Sequence, residues 1–219
     1  MHRRRRTALV LSAAIVAAAP LLTGCGSEAH PGAAAVVDGR RITVAQLESR
    51  VNEVRSAQRA ASKDDAQYEQ VVANTGTLTR DTLHGMVLDR VLDRAAKNAG
   101  VSVTRKDSQQ MRAALEQQAG GSEALETAWL TNYGVAPQHL DDSLRTEIEA
   151  RKLASALGAD MNTTDGKAAF WKAMSAASKQ LDVDLNPRYG TWDVQKSSRV
   201  DAKTPWLREV TATGTQQPA

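Results

Sequence analysis

Most of the chain after residue 43 carries apolar residues at steps of three and four, with polar residues between them. This spacing places the apolar positions on one face of a helix. The pattern predicts helices over seven segments, at about 43–61, 65–73 (the weakest), 79–99, 104–119, 122–133, 137–157 and 164–181. The chain is therefore predicted to be mainly α, with several helices around an apolar core.

Helix-start and helix-end signals support these boundaries. Thr43 and Gln46 have the spacing of a capping box. Pro137 suits the first position of a helix, and Gly100 suits the position just after one. Each signal satisfies backbone groups that the end of a helix leaves without a partner.

Short strand signals stand near both ends of the helical region. Ala33–Val37 is apolar and is followed by Asp38-Gly39, a dipeptide typical of a tight turn. At the other end an alternating segment at 183–185 precedes Asn186-Pro187, which turns the chain, and Tyr189–Val194 resembles a second strand. Such strands are too short to be stable alone. We expect the first and last of them to pair in a small two-stranded sheet that joins the two ends of the domain.

These signals divide the chain into a domain at 33–194 and a tail at 195–219. The tail is rich in Ser, Thr, Lys, Gln and Pro, so we expect it to be mostly disordered. Trp206-Leu207 is an apolar pair within it that is available for docking.

The first residues have the order of a targeting segment. A basic cluster at Arg3–Arg6 precedes an apolar stretch at Ala8–Leu22, and Leu22-Thr23-Gly24-Cys25 follows. This tetrapeptide resembles the bacterial lipobox. The resemblance implies a signal peptide at 1–24, diacylglycerol on the Cys25 thiol, a short tether at 25–32, and a location on the extracytoplasmic face of the cell membrane. The apolar run is shorter than the roughly 20 residues that span a bilayer; an uncleaved anchor and an ordinary secretory peptide are the alternatives.

Composition changes once this segment is removed. The whole chain has 28 Lys+Arg and 25 Asp+Glu, but four of the arginines precede Cys25 and no acid does, which leaves 24 against 25. A basic patch for nucleic acid is therefore not indicated. Cys25 is the single cysteine, so the chain can form neither an internal disulfide nor a thiolate metal site.

Two segments at opposite ends of the domain carry a family likeness. The first, residues 35–47, contains Val37, Asp38 and Gly39 before the capped helix; it resembles the N-terminal opening of the SurA-like foldases. These are extracytoplasmic chaperones related in architecture to PrsA and to the chaperone region of trigger factor. The second, residues 183–192, resembles the strand that closes the same module, and its telling positions are Asn186, Pro187, Tyr189, Gly190 and Trp192.

The resemblance implies a multi-helix chaperone module whose two end segments pair, with the helices between them forming a cradle for unfolded or secreted polypeptides. Many relatives carry a parvulin prolyl-isomerase domain before the last helix. Here only a few residues separate the helix ending near Gly158 from the one starting near Thr164. The resemblance therefore implies binding without isomerase activity.

Candidate catalytic groups give no recognisable pattern. His84 and His139 lie on predicted helices without a second histidine at metal-ligand spacing. Asp64-Asp65 and Asp141-Asp142 are adjacent on helices, so their side chains point in different directions and are typical of solvated helix starts. No nucleophile elbow or phosphate-binding glycine loop is present. We expect neither an enzyme nor a bound cofactor or metal.

Four aromatic residues have two interpretations. Trp129, Tyr133, Trp171 and Trp192 either fill the core or line an apolar cleft that holds client segments.

The sequence leaves two functions open. The first is a membrane-anchored chaperone that binds unfolded segments; the second is a lipoprotein subunit that docks on one envelope partner.

Overall fold

The computed structural model describes residues 31–201. The proposed signal peptide, Cys25, most of the tether and residues 202–219 lie outside the described residues, and so do the predictions made for them. No helix within 31–201 is long and apolar enough to cross a membrane.

The predicted helices are confirmed within one to three residues at most ends. Between residues 31 and 201 the seven α-helices are α1 (Val44–Ala61), α2 (Asp65–Asn74), α3 (Leu78–Asn98), α4 (Arg105–Ala119), α5 (Ser122–Tyr133), α6 (Leu140–Ala156) and α7 (Thr164–Gln180). The largest difference is at Pro137, where the prediction of an α-helix is wrong. Residues Pro137–His139 form a 3-10 turn, and α6 begins after it.

Side-chain caps explain where the helices begin. The Thr43 hydroxyl accepts a hydrogen bond from the Gln46 backbone N–H at 3.0 Å, and the Gln46 side chain accepts from the Thr43 N–H at 2.9 Å. Thr104 and Asp107 form the same reciprocal pair at α4. Thr163 caps α7 through the N–H of Gly166. Such caps satisfy backbone donors that have no partner within the helix.

A small antiparallel sheet joins the two ends of the domain, as predicted. Its strands are β1 (Ala33–Val37), β2 (Arg40–Thr43) and β3 (Asp184–Leu185), in the order β2-β1-β3. Val36 lies opposite Asp184 in the β1–β3 pair. The sheet has three strands instead of two because Asp38 and Gly39 both adopt positive φ, at 53° and 69°, and reverse the chain into β2.

The pairing expected around Trp192 is wrong. The segment beside β1 ends at Leu185, a 3-10 turn at Pro187–Tyr189 redirects the chain, and β4 (Thr191–Asp193) pairs with β5 (Ser198–Val200). Regular structure thus continues past 194, where the sequence placed the end of the domain. The expectation of a disordered tail does not hold for residues 195–201, because β5 gives β4 a hydrogen-bonded partner.

Helix α3 is the centre of the fold, since it contacts α1, α6 and α7. Most of its buried residues belong to a main apolar cluster with β1, α1 and α7; Leu83, Val87 and Met174 lie at most 2% exposed within it. Helices α4, α5 and α6 build a smaller cluster around Leu125, Leu140 and Leu144. A third cluster, where α1, α3 and α5 meet, consists of Val54, Leu78, Leu130 and Ala136.

Candidate functional site

The first cleft lies between α1, α3 and the loop that follows α5. Its apolar lining includes Val54 of α1, Leu78 and Met86 of α3, and Ala136 of the loop, and its volume is about 190 Å³. Tyr133 stands at its edge. We call this the α1–α3 cleft.

Two further clefts lie among α4, α5 and α6, and Tyr133 lines one of them. This one has a volume of about 220 Å³ and is lined by Met111, Leu115, Trp129 and Tyr133. The other runs along α4 and α6 and shares Met111 and Leu115 with it, with a volume of about 490 Å³. Tyr133 lines the first and second clefts, and Met111 and Leu115 line the second and third. We call the three clefts together the Tyr133 groove.

Tyr133 is the most prominent apolar group of this groove. Its side chain is 66% exposed, whereas the large apolar residues of the core are nearly inaccessible. The left-handed conformation of Gly134 (φ 63°) ends α5 directly after Tyr133 and turns the chain away. Trp129 lies 5.1 Å from the Tyr133 ring and donates its indole N–H to the Ser143 hydroxyl at 3.1 Å. A fixed Trp129 thus supports an exposed Tyr133.

Helix α4 leaves its apolar side only half covered. It contains no fully buried residue, although Met111 and Leu115 stand one turn apart on the same face. Both pack against the small core from one side and line the groove on the other. Methionine adapts its shape to different partners. This face is suited to varied apolar ligands.

Charged groups surround the α1–α3 cleft. Asp89 and Arg50 line it, and His139 pairs with Glu53 of α1 at its edge. Burial in the concave surface raises the pKa of Asp89 to about 6, although Arg50 opposes this shift; the Asp89 side chain nevertheless remains accessible to water. The hydrogen bond with His139 lowers the pKa of Glu53. The cleft therefore combines an apolar floor with ionisable groups at its edge.

Comparison with known families adds an independent observation. The family model described as the SurA-like N-terminal domain matches residues 1–154 of this chain. The chain belongs to the SurA-like N-terminal domain family. This is a chaperone-type family. Neither the curated proteins nor the solved structures provide a match.

The motif residues of this SurA-like chain lie at the joined ends of the domain and not in the groove. Asn186 donates its side-chain amide to the Ala33 carbonyl at 3.1 Å and accepts from the Arg188 N–H at 3.2 Å. Asp38 accepts from Arg94 at 3.0 Å. Further motif side chains are in or against the main core: Val37, Tyr189 and Trp192. The opening and closing motifs hold the fold together, with Gly39, Pro187 and Gly190 at its turns.

The four aromatic residues divide between the two interpretations. Tyr133 and one side of Trp129 line the groove. Trp192 packs against the main core and donates its N–H to the buried Ser178 hydroxyl at 2.6 Å. Trp171 is 42% exposed on α7 and stacks edge-on against Phe170, outside the lining of the groove.

The remaining candidate groups take part in local contacts. His84 packs on Trp192 and accepts from the Arg199 N–H, and burial lowers its pKa. Asp64 caps α2, and Asp141 pairs with Arg112 at 2.6 Å.

No group of three or more potential metal ligands occurs in residues 31–201. The sequence analysis did not identify Asp89, Arg50 or the apolar face of α4. For the α4 face, the only signal in the sequence was that the helix has few large apolar residues.

Proposed function

We propose that this SurA-like protein is an extracytoplasmic, membrane-anchored chaperone that binds unfolded or secreted polypeptide segments in the Tyr133 groove. The observation that carries the proposal is a groove of partly covered apolar side chains, centred on an exposed tyrosine, in a member of a chaperone-type family. A concave, mainly apolar surface with a few polar groups at its edge is the usual form of a ligand-binding site.

The shape of the groove supports weak and reversible binding. Its clefts are shallow and open, so a client segment buries only part of each apolar side chain. Burial of about 200 Å² of apolar surface contributes about 5 kcal/mol before the cost of ordering the client is subtracted. Release then needs no nucleotide, because client folding withdraws the same apolar surface.

The proposed activity involves no covalent chemistry. Helix α6 ends at Ala156 and α7 begins at Thr164, which leaves no space for an inserted isomerase domain between them. His139 and His84 make contacts between elements of the fold, which supports a positional role for each.

The client-binding proposal is tested by the aggregation of a denatured model protein, followed by light scattering. The soluble form beginning at Ser27 contains every described residue and should suppress aggregation at about equimolar amounts. Tyr133→Ser should weaken suppression, because it removes the exposed ring from the groove. Trp171→Ser is the matched control, since it removes an exposed aromatic residue elsewhere, and should leave suppression unchanged once both variants are shown to be folded.

Two results would contradict this assignment. The first is equal suppression by the wild type and Tyr133→Ser. The second is an absence of suppression together with a single partner that co-purifies in fixed stoichiometry. That second result would favour the lipoprotein docking subunit instead.

The anchor is tested separately. Wild-type protein expressed in a bacterial host should fractionate with membranes and incorporate a labelled fatty acid, whereas Cys25→Ser should do neither. Label on the Cys25→Ser variant would contradict attachment at this thiol.

A further inference from the structure

We infer that the α1–α3 cleft selects client segments in which a lysine or arginine stands next to an apolar residue. The inference rests on the proposed client binding and specifies its substrate class. It follows from two lining carboxylates that make no salt bridge within residues 31–201, from the apolar floor beside them, and from an aromatic ring in the same lining.

Carboxylates outnumber cations around the cleft. Asp81 and Asp89 line it, and Glu53 and Asp142 stand next to it through their contacts with His139. Within the lining itself, Asp81 and Asp89 stand against one permanent cation, Arg50, and His139, which is charged only when it is protonated. A surface with this balance attracts cationic segments and disfavours acidic ones.

The two acids of the lining differ from the two beside it in their partners. Glu53 and Asp142 face His139. Asp81 accepts from the Thr77 hydroxyl at 2.6 Å, and Asp89 accepts from the Thr146 hydroxyl, but neither makes a salt bridge within residues 31–201. Asp81 and Asp89 are therefore the acids available to pair with a client cation.

The surroundings of Asp89 strengthen such a pair. Desolvation by the cleft walls raises the pKa of Asp89, although its side chain remains exposed to water. An opposite charge placed there gains more than it would in open water. The groups that face Asp89 are Arg50 from α1, and Asp142 and Thr146 from the α6 side; the second acid, Asp142, adds to the demand for a cation.

The same cleft accommodates the neighbouring apolar residue. Val54, Leu78 and Ala136 form a buried floor. Gly85 of α3 has open space where a side chain would be, so a client backbone can approach the helix there. Tyr133 is an exposed aromatic residue of the lining, and the face of such a ring attracts an ammonium or guanidinium group. A basic residue beside an apolar one matches each of these features.

The test compares three fluorescent 12-residue peptides with the same apolar centre and with Lys, Gln or Glu on both sides of it. Binding to the soluble form is measured by anisotropy at low and at moderate salt. The Lys peptide should bind about 10-fold more tightly than the Glu peptide at low salt, and the difference should shrink as salt rises. In Asp89→Asn this preference should fall to about 3-fold.

Glu69→Gln is the matched control, because it neutralises an exposed acid on α2 outside the cleft, and it should retain the full preference. Equal affinity for all three peptides, or an undiminished preference in Asp89→Asn, would overturn the inference while leaving client binding intact. Failure of even the Gln peptide to bind, together with unaltered client aggregation, would instead remove the proposed function. If the soluble form is a dimer and the Lys peptide does not dissociate it, the cleft would be assigned to a second copy of the chain. This result would also overturn the inference.

Discussion

Two helical glycines should respond to alanine with opposite signs. Gly85 lies within α3, and a Cβ at this position would meet no atom within 4 Å. Alanine favours a helix interior over glycine by about 1 kcal/mol. Gly85→Ala should therefore increase the free energy of unfolding by about 1 kcal/mol.

Gly166 lies in the first turn of α7 against the backbone of Asp160. A Cβ there would lie 2.6 Å from the Asp160 nitrogen and closer still to its carbonyl group. That carbonyl accepts from the Thr163 N–H at 3.0 Å and from the Thr163 hydroxyl at 2.9 Å, so it cannot move away without losing the contacts that start α7. Overpacking costs about 1–3 kcal/mol. Because the clash here is with backbone that is already hydrogen-bonded, the cost should lie in the upper part of this range, above the helical preference for alanine of about 1 kcal/mol. Gly166→Ala should reduce the free energy of unfolding by about 1–2 kcal/mol.

Urea unfolding followed by helical circular dichroism measures both changes in the soluble form. The midpoints should move in opposite directions, with similar slopes, and thermal midpoints should shift by about 2–4 °C for each kcal/mol. Gly85→Ala is the control for the general effect of removing a glycine from a helix. A Gly166→Ala variant as stable as Gly85→Ala would refute the close approach of α7 to Asp160.

Two further predictions concern the joined ends and the acid of the cleft. Asn186→Ala should reduce the free energy of unfolding by about 2 kcal/mol, because it leaves the buried Ala33 carbonyl without its side-chain donor. Asn186→Asp also lacks the donor and should be destabilised to a similar extent. Urea midpoints close to that of the wild type in both variants would show that this hydrogen bond is unimportant. The raised pKa of Asp89 means that this carboxyl group binds its proton more tightly in the folded state than in the unfolded chain. Its contribution to stability is therefore most favourable below pH 4 and is lost as the pH rises through about 6. Asp89→Asn should therefore stabilise the protein more at pH 7.5 than at pH 5, and equal effects at the two pH values would contradict the shift.

The parts of the fold that follow from local signals could be predicted from the sequence. The capping pairs at Thr43 and Thr104 and the Thr163 cap fix three helix starts through contacts within four residues. The Asp38-Gly39 turn is local in the same sense. Strand pairing is not local: β3 forms where Asn186 reaches Ala33, and β4 turns away to β5. Short strands with several available partners leave this choice to tertiary contacts.

The candidate site was only partly predictable for a similar reason. Tyr133 was one of four aromatic residues that the sequence could not divide between core and cleft. Its exposure depends on where Gly134 ends α5, and on how α5 packs between the cluster around Leu130 and the cluster around Leu125. Asp89 looks like an ordinary helix-surface acid until α1 and α6 are placed beside it.

The most direct test of client binding is site-specific photo-crosslinking. A photoreactive phenylalanine analogue placed at Tyr133 or at Trp171 in the soluble form is illuminated with an unfolded secreted protein, and the products are mapped by mass spectrometry. Our account predicts crosslinks to several client segments from position 133, lost when the client folds, and few from position 171. Equal yields from the two positions, or crosslinks from 171 alone, would contradict the assignment of the Tyr133 groove as the client-binding surface.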